Sequence, residues 1–327
     1  MMRRTFLAAT LLCAMAPAAN AADALSFQLG WLPGGDRAPA YLALQRGLFA
    51  AENLDVKILP GRGSTDTITK LATGVVDVGE AGFDAFLAAK AEGTVPVTAV
   101  MPFFTKPPDA LLTTSATGIA SLKDIGGRSV ATSPFTSSNL TWPVILKLND
   151  VDPAQVKFIK ADAGALGGML AAGQVDAVIM WTTSAPPVTT MVAAAGKQLK
   201  ILPWSDYGMA GYSQTIIASD KTLAERPDAI RRFVKVMRDA IRLTKADPMA
   251  AAEAVKVAVP QADLAALKAQ VEVSVPLMMN EITARDGLGT FSPDLVRKTW
   301  EWVAKANNYP ADKLDPMSVV STKYAGS

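Results

Sequence analysis

Histidine is missing from this chain of 327 residues, and cysteine occurs once, as Cys13. Without histidine there is no Ser-His-Asp triad. With a single cysteine there is no disulfide and no Cys/His metal site. Neither charge is in excess: 32 basic residues face 30 acidic ones. That balance lacks the positive surplus of a nucleic-acid binder. Beyond the first residues, no stretch reaches the roughly 18 uninterrupted apolar residues of a membrane helix. Aromatics make up only 7% of the chain, so where they cluster carries information. The composition calls for no cofactor and no metal.

The N-terminus reads as an export leader. Met1-Met2-Arg3-Arg4 is a basic start, Phe6 to Ala16 a short apolar segment, and Ala19-Asn20-Ala21 a small-x-small cleavage site. Residues 1–21 are therefore expected to be a signal peptide. Its removal takes away Cys13, Arg3 and Arg4. The remainder is expected to be exported and long enough for one large or two medium cores.

Strand and helix patterns alternate. Strands are predicted at Leu25–Leu29, Val56–Leu59, Val75–Val78 and Val97–Phe104, with helices at Ala40–Phe49, Thr65–Thr73 and Asp84–Glu92. Short strands separated by helices of about ten residues imply βαβ units and a parallel sheet. The module then returns. Leu71-Ala72-Thr73-Gly74-Val75-Val76-Asp77 aligns with Leu170-Ala171-Ala172-Gly173-Gln174-Val175-Asp176, and Val56-Lys57-Ile58 with Val156-Lys157-Phe158. Each copy runs strand, loop, helix, glycine, strand. The glycine ends a helix, where the left-handed conformation suits it. The order of elements favours a duplicated lobe over chance recurrence. The second copy opens at Ser121–Arg128, with strands at Ser129–Thr132, Leu199–Leu202 and Ser213–Ser219 and a helix at Asn139–Asn149. From Leu223 onward the chain reads as helical, and Ile230, Phe233, Met237 and Ile241 form the apolar face of Pro227–Thr244.

Several stretches together resemble one family: the leader, Gly30-Trp31-Leu32-Pro33, Gln45-Arg46-Gly47-Leu48-Phe49, Leu54-Asp55-Val56, the two Gly-x-Val-Asp motifs, Ser121–Arg128 and Asp206-Tyr207-Gly208. They are similar to the SsuA/THI5-like solute-binding receptors of ABC importers for nitrate, sulfonate, taurine and thiamine-pyrimidine precursors. The resemblance implies an α/β fold, a two-lobed periplasmic binding protein of type II with two hinge strands. Each lobe would be a mostly parallel sheet flanked by helices. By analogy, residues 22–111 and 213–327 form lobe 1 and 112–212 form lobe 2, with crossings near Ala110–Thr114 and Tyr207–Ser213. It further implies a periplasmic monomer that takes a small organic solute and meets a membrane permease with its ATPase.

In such sheets ligands sit off the carboxyl ends of the strands. The loops collected there supply Trp31, Arg62, Ser64, Thr65, Gly82, Phe83 and Asp84 from lobe 1. Lobe 2 supplies Ser133, Thr136, Ser137, Ser138 and Trp181. Phe103 ends a strand, and Asp206, Tyr207 and Tyr212 lie on the return segment. Ser64-Thr65 and Thr136-Ser137-Ser138 open helices. By themselves they read as ordinary N-caps or as anion cradles; the resemblance favours the cradle. The aromatic set reads either as ligand walls or as core beneath the loops. The charged candidates Arg62, Glu80, Asp84 and Asp206 leave the ligand's charge open. Arg231, Lys235, Arg238 and Arg242 form a basic helix stripe, either a solvated face or a permease contact.

Two ligand classes stay open. Aromatic walls suit a pyrimidine precursor or an aromatic acid, and hydroxyl cradles suit a sulfonate, taurine or nitrate. A ligand-sensing subunit and an acid-base enzyme are the competing classes. Pyrimidine-forming proteins that look like this chain consume their own histidine, so their chemistry is closed to a chain without one.

Overall fold

The structure, a computed structural model, describes residues 21–324, so residues 1–20 of the predicted leader, Cys13 among them, lie outside the described residues. Among the described residues, ten strands form two five-stranded sheets. The strands are β1 (Asp23–Gln28), β2 (Leu54–Leu59), β3 (Val78–Gly82), β4 (Val97–Pro102), β5 (Asp109–Thr114), β6 (Ser129–Thr132), β7 (Lys157–Lys160), β8 (Ala177–Trp181), β9 (Leu199–Pro203) and β10 (Gln214–Ser219). The first sheet has the order β2-β1-β3-β10-β4 and the second β7-β6-β8-β5-β9. The two orders are the same once β6, β7, β8, β5 and β9 stand for β1, β2, β3, β10 and β4.

The duplication has an atomic basis. In the first sheet Asp77 accepts from the Ser26 backbone N–H (2.9 Å) and hydroxyl (2.7 Å), and the Asp77 N–H donates to Ser26 Oγ (2.9 Å). In the second, Asp176 does the same with Ser129 at 2.8, 2.7 and 3.0 Å. Both Gly-x-Val-Asp aspartates thus tie the turn before a strand to the neighbouring strand. Gly74 and Gly173 precede them at φ of 71° and 72°, in the left-handed region that a side chain disfavours. These bonds hold both carboxyls below the usual aspartate range despite their partial burial. Because this turn occupies Val75–Asp77, β3 starts at Val78, three residues later than the pattern at Val75–Val78 predicts.

Each sheet is mixed rather than mostly parallel. Two pairings are parallel (β1 with β2 and β3; β6 with β7 and β8) and two antiparallel (β10 with β3 and β4; β5 with β8 and β9). The antiparallel member is the strand that arrives from the other half, β5 in the second sheet and β10 in the first. The chain crosses through residues 103–108, upstream of the expected Ala110–Thr114, and returns through 204–213.

Helices cover both faces. The helix Pro227–Ala246 lays its predicted stripe on the first sheet, with Ile230, Phe233, Met237 and Ile241 all buried. Phe233 packs against Phe27 and Phe49 at 5.0 and 5.5 Å between ring centres. The helix predicted at Ala40–Phe49 is broken by Gly47 into Ala38–Gln45 and Leu48–Ala51. In the second half, Trp142 stacks on Trp204 at 5.5 Å within a separate core. Among the described residues no helix is long and apolar enough to cross a membrane.

Candidate ligand-binding cleft

The carboxyl ends of β1, β2, β6 and β8 open into the space between the two sheets. A chamber of about 20 Å³ lies there, walled by Trp31, Asp36, Arg37 and Ser64 from one half and by Thr136 and Trp181 from the other. It joins a wider opening of about 550 Å³ between the helices Ala185–Ala194 and Leu264–Met278, sharing Trp31, Asp36, Met180 and Ser184. The chamber holds about one water, whereas the opening has the size of a small-ligand pocket.

Charge is concentrated behind the chamber. Arg37, only 1% exposed, pairs through Nη1 with Asp36. Its Nε lies 3.4 Å from Glu80 Oε2. That oxygen also accepts from the Gly30 N–H (3.2 Å) and Gln214 Nε2 (3.3 Å). The Arg37 guanidinium sits 5.3 Å from the centre of the Trp181 ring, a cation–π contact between the halves. Thr183, beside Trp181, donates to Asp36 Oδ2 at 2.9 Å. Burial pushes the Glu80 carboxyl up, with Arg37 pulling the other way. Among the described residues, buried Arg37 Nη2, Glu80 Oε1 and Gln214 Oε1 have no hydrogen-bond partner, whereas the Trp181 side chain is turned to Asp109, whose carboxyl it draws down by hydrogen bonding. Such unpartnered groups are rare in a protein interior because each carries a desolvation cost. One of them, Arg37 Nη2, is a donor on a residue of the chamber wall.

A second acidic pair stands one residue behind the wall. Ser64 Oγ accepts from the Gly82 N–H at 2.8 Å. Beyond Gly82, the buried Asp84 accepts from the Ala85 N–H (2.9 Å) and from the Ser137 hydroxyl. Asp109, at the start of β5, accepts from Ser138 Oγ at 2.5 Å. Burial, and then the Asp109 charge, push Asp84 up to about 7; burial raises Asp109 as well. The halves touch at the rim too. Gly63 has φ of 141° and so little room that a Cβ would lie 2.2 Å from the Phe135 carbonyl oxygen. The Thr65 N–H and hydroxyl both donate to that oxygen at 3.3 Å.

Of the residues singled out from sequence, Trp31, Ser64, Thr136 and Trp181 line the chamber. Gly82, Asp84, Ser137 and Ser138 form the layer behind it. The Ser137 and Ser138 hydroxyls donate to Asp84 and Asp109, while Ser64 Oγ accepts from the Gly82 N–H and keeps its proton. Thr65 bonds across the rim. Arg62 and Ser133 border a separate groove at the mouth. Five others belong elsewhere. Phe83 is fully buried against Phe86, Tyr212 and Phe291. Tyr212 accepts from the Ser292 N–H at 2.7 Å in the same core. Phe103 is buried beside Phe104, and it is Phe104 that reaches Trp181, at 5.9 Å. Asp206 is exposed, and Tyr207 packs on the core of the second half. For Phe83 and Phe103 the reason is that a ring at a strand end faces the sheet or the cleft according to strand alternation, and composition does not reveal which; Asp206 and Tyr207 lie in the helical turn 204–207.

Sequence reasoning missed Arg37 and Asp109. Arg37 had a signal: it is a cation between Gly34-Gly35-Asp36 and the apolar run Ala38–Leu44, where an unpaired charge is costly. Asp109 had none, because its partners come from the helices after β3 and β6. The basic stripe is laced with acids. Arg231 pairs with Asp228, Lys235 with Glu52 and Arg242 with Asp239, so it reads as a solvated face.

The family model described as NMT1/THI5 like matches residues 35–251. The riboflavin-binding protein RibY of Chloroflexus aurantiacus is 26% identical over 303 residues, which cover 89% of this chain and 84% of that one. The 4-amino-5-hydroxymethyl-2-methylpyrimidine phosphate synthase THI5 of Saccharomyces cerevisiae is 27% identical over 243 residues, 70% of this chain and 69% of that one. The alkanesulfonate-binding protein SsuA from Xanthomonas axonopodis pv. citri, solved bound to MOPS, aligns with a TM-score of 0.69 at 15% identity, covering 92% of this chain and 98% of that one. That likeness is one of fold: the two mixed, helix-flanked sheets are the periplasmic binding protein architecture.

Proposed function

The chain belongs to the family described as NMT1/THI5 like, and on that premise we propose that it is an exported receptor of an ABC importer. Its two halves close on a flat heteroaromatic solute, hold it in the wider opening against Trp31 with its uncharged edge toward Trp181 and the inner chamber, and release it unaltered to a permease. The lobes are the parts on either side of the crossings at 103–108 and 204–213. The solute stabilises the closed arrangement because it touches both.

One observation carries the choice of solute: two aromatic walls from opposite halves, Trp31 and Trp181, meet beside a buried donor that has no partner among the described residues, Arg37 Nη2. A carbonyl oxygen or ring nitrogen answers such a donor. Arg37 already faces Asp36 and Glu80, so an anion driven to that side of the chamber meets two acids. Of the hydroxyls that would cradle a sulfonate or nitrate, those of Thr136, Ser137 and Ser138 donate to Ser138, Asp84 and Asp109, which leaves that of Ser64. This supports the heteroaromatic reading over the sulfonate one. RibY is named for riboflavin and THI5 for a pyrimidine phosphate, and both names fit a ring of this class. A synthase that draws on its own histidine is closed to a chain that has none.

The test is a tryptophan-fluorescence and calorimetric titration of the purified protein with riboflavin, an aminopyrimidine, taurine and an alkanesulfonate, alongside native mass spectrometry for a co-purifying solute. The expected result is quenching with micromolar or tighter affinity for a heteroaromatic and none for taurine. Tight binding of the sulfonate with indifference to every heteroaromatic would overturn the reading.

A further inference from the structure

We propose that the groove at the cleft mouth, bordered by Arg62 from one half and Lys160 from the other, is a subsite for an anionic oxygen substituent, phosphate or carboxylate, carried by the ring bound in the cleft. The groove has a volume of about 260 Å³ and its wall includes Leu32, Ser133, Phe135 and Asp162. Leu32 and Ala163 border both this groove and the wider opening, so a substituent on a ring held there reaches it directly.

Its two cations are set apart from the other charges of the molecule. Neither Arg62 nor Lys160 pairs with a carboxylate among the described residues. Each lies on an aromatic face, Arg62 at 5.0 Å from the Phe135 ring centre and Lys160 at 4.4 Å from that of Phe158. A ring holds a cation in place without neutralising it. Asp162, the acid in the groove wall, is turned into its own loop, its Oδ1 accepting the Gly164 N–H at 2.9 Å. Partial burial draws the Lys160 ammonium down from its ordinary range, a cost that an anion beside it relieves. The Ser133 hydroxyl, which accepts the Phe135 N–H at 3.4 Å, keeps its own proton to donate.

The arrangement divides the ligand in two. Acids behind the inner chamber favour an uncharged ring edge, and the mouth favours the anion. One cation stands on the loop after β2 and the other at the end of β7, so an anion between them also ties the halves together.

This inference rests on the reading of the cleft as a ring site, and three probes separate the two: an aminopyrimidine methanol, its phosphate monoester, and inorganic phosphate alone. In the wild-type protein the monoester is expected to bind at least tenfold more tightly than the alcohol. Arg62→Gln and Lys160→Gln should each bring that ratio below threefold, while Trp181→Ala weakens both ligands and keeps the ratio. Phosphate alone should bind at millimolar concentration, read by ³¹P line broadening that the double variant abolishes. A monoester no tighter than the alcohol, or a ratio indifferent to both substitutions, overturns the inference. Failure of the alcohol and monoester alike, with phosphate still dependent on the two cations, overturns the ring reading and supports the anion site.

Discussion

Asp84→Asn gives the sharpest test of how the halves meet. The Asp84 carboxyl is buried, accepts from Ala85 and Ser137, and stands near Asp109 of the other half. Its ordinary value of 3.8 is pushed up to about 7. A carboxyl raised in this way keeps its proton in the native state over a window where the unfolded chain has lost it. Stability from this group is therefore full below pH 3.8, falls as pH rises, and is spent above about 7. Three units at about 1.4 kcal/mol each give a loss of about 4 kcal/mol across the window. Asparagine keeps an oxygen toward the Ala85 N–H and never ionises. Urea denaturation of both proteins from pH 4 to 9 should show the variant gaining on the wild type by about 2–4 kcal/mol between the ends, most of it between pH 4 and 7. Glu80 titrates in the same sense and Asp77 and Asp176 in the opposite one. They occur in both proteins, so the difference isolates Asp84 together with its effect on Asp109. Parallel pH profiles would refute the account of a strained acid pair.

Trp31→Ala and Trp181→Ala should each weaken solute binding more than tenfold, a loss above about 1.4 kcal/mol, with an unchanged circular-dichroism spectrum; normal binding by both variants sinks the cleft assignment. Phe83→Ala should cost about 3–5 kcal/mol of stability, since its ring is fully buried among Phe86, Tyr212 and Phe291; a melting temperature within a few degrees of wild type would return Phe83 to the ligand list. Asp77→Asn and Asp176→Asn should each cost about 1.5–3 kcal/mol near neutral pH through the weakened serine bonds. Because both carboxyls are held low, that cost should shrink as pH falls through the native value, and a penalty equal at pH 3 and pH 7 would contradict it.

The duplicated half was legible because the device that makes it is local. Gly74-Val75-Val76-Asp77 and Gly173-Gln174-Val175-Asp176 write a left-handed helix end and a turn into adjacent residues. The stripe of Pro227–Ala246 was legible for the same reason, a helical period in neighbouring side chains. That Trp31, Ser64, Thr136 and Trp181 come to one chamber was legible because loops after parallel strands fall on one edge. The candidates that lie away from the chamber, Phe83, Phe103, Asp206, Tyr207 and Tyr212, sit at strand ends or on the return segment, where sequence does not say which way a side chain is turned.

The sequence by itself determined the alternation of strand and helix, the two matching halves and the chemistry that histidine and cysteine would have supplied. Only the tertiary structure decided that β5 and β10 enter each other's sheets antiparallel, that Arg37 is buried between Asp36 and Glu80 under Trp181, and that Asp84 meets Asp109. The physical reason is range. Caps, turns and periodicity are settled among residues a few positions apart, whereas burial and the pairing of charges depend on which distant segments come to share one small volume with little water.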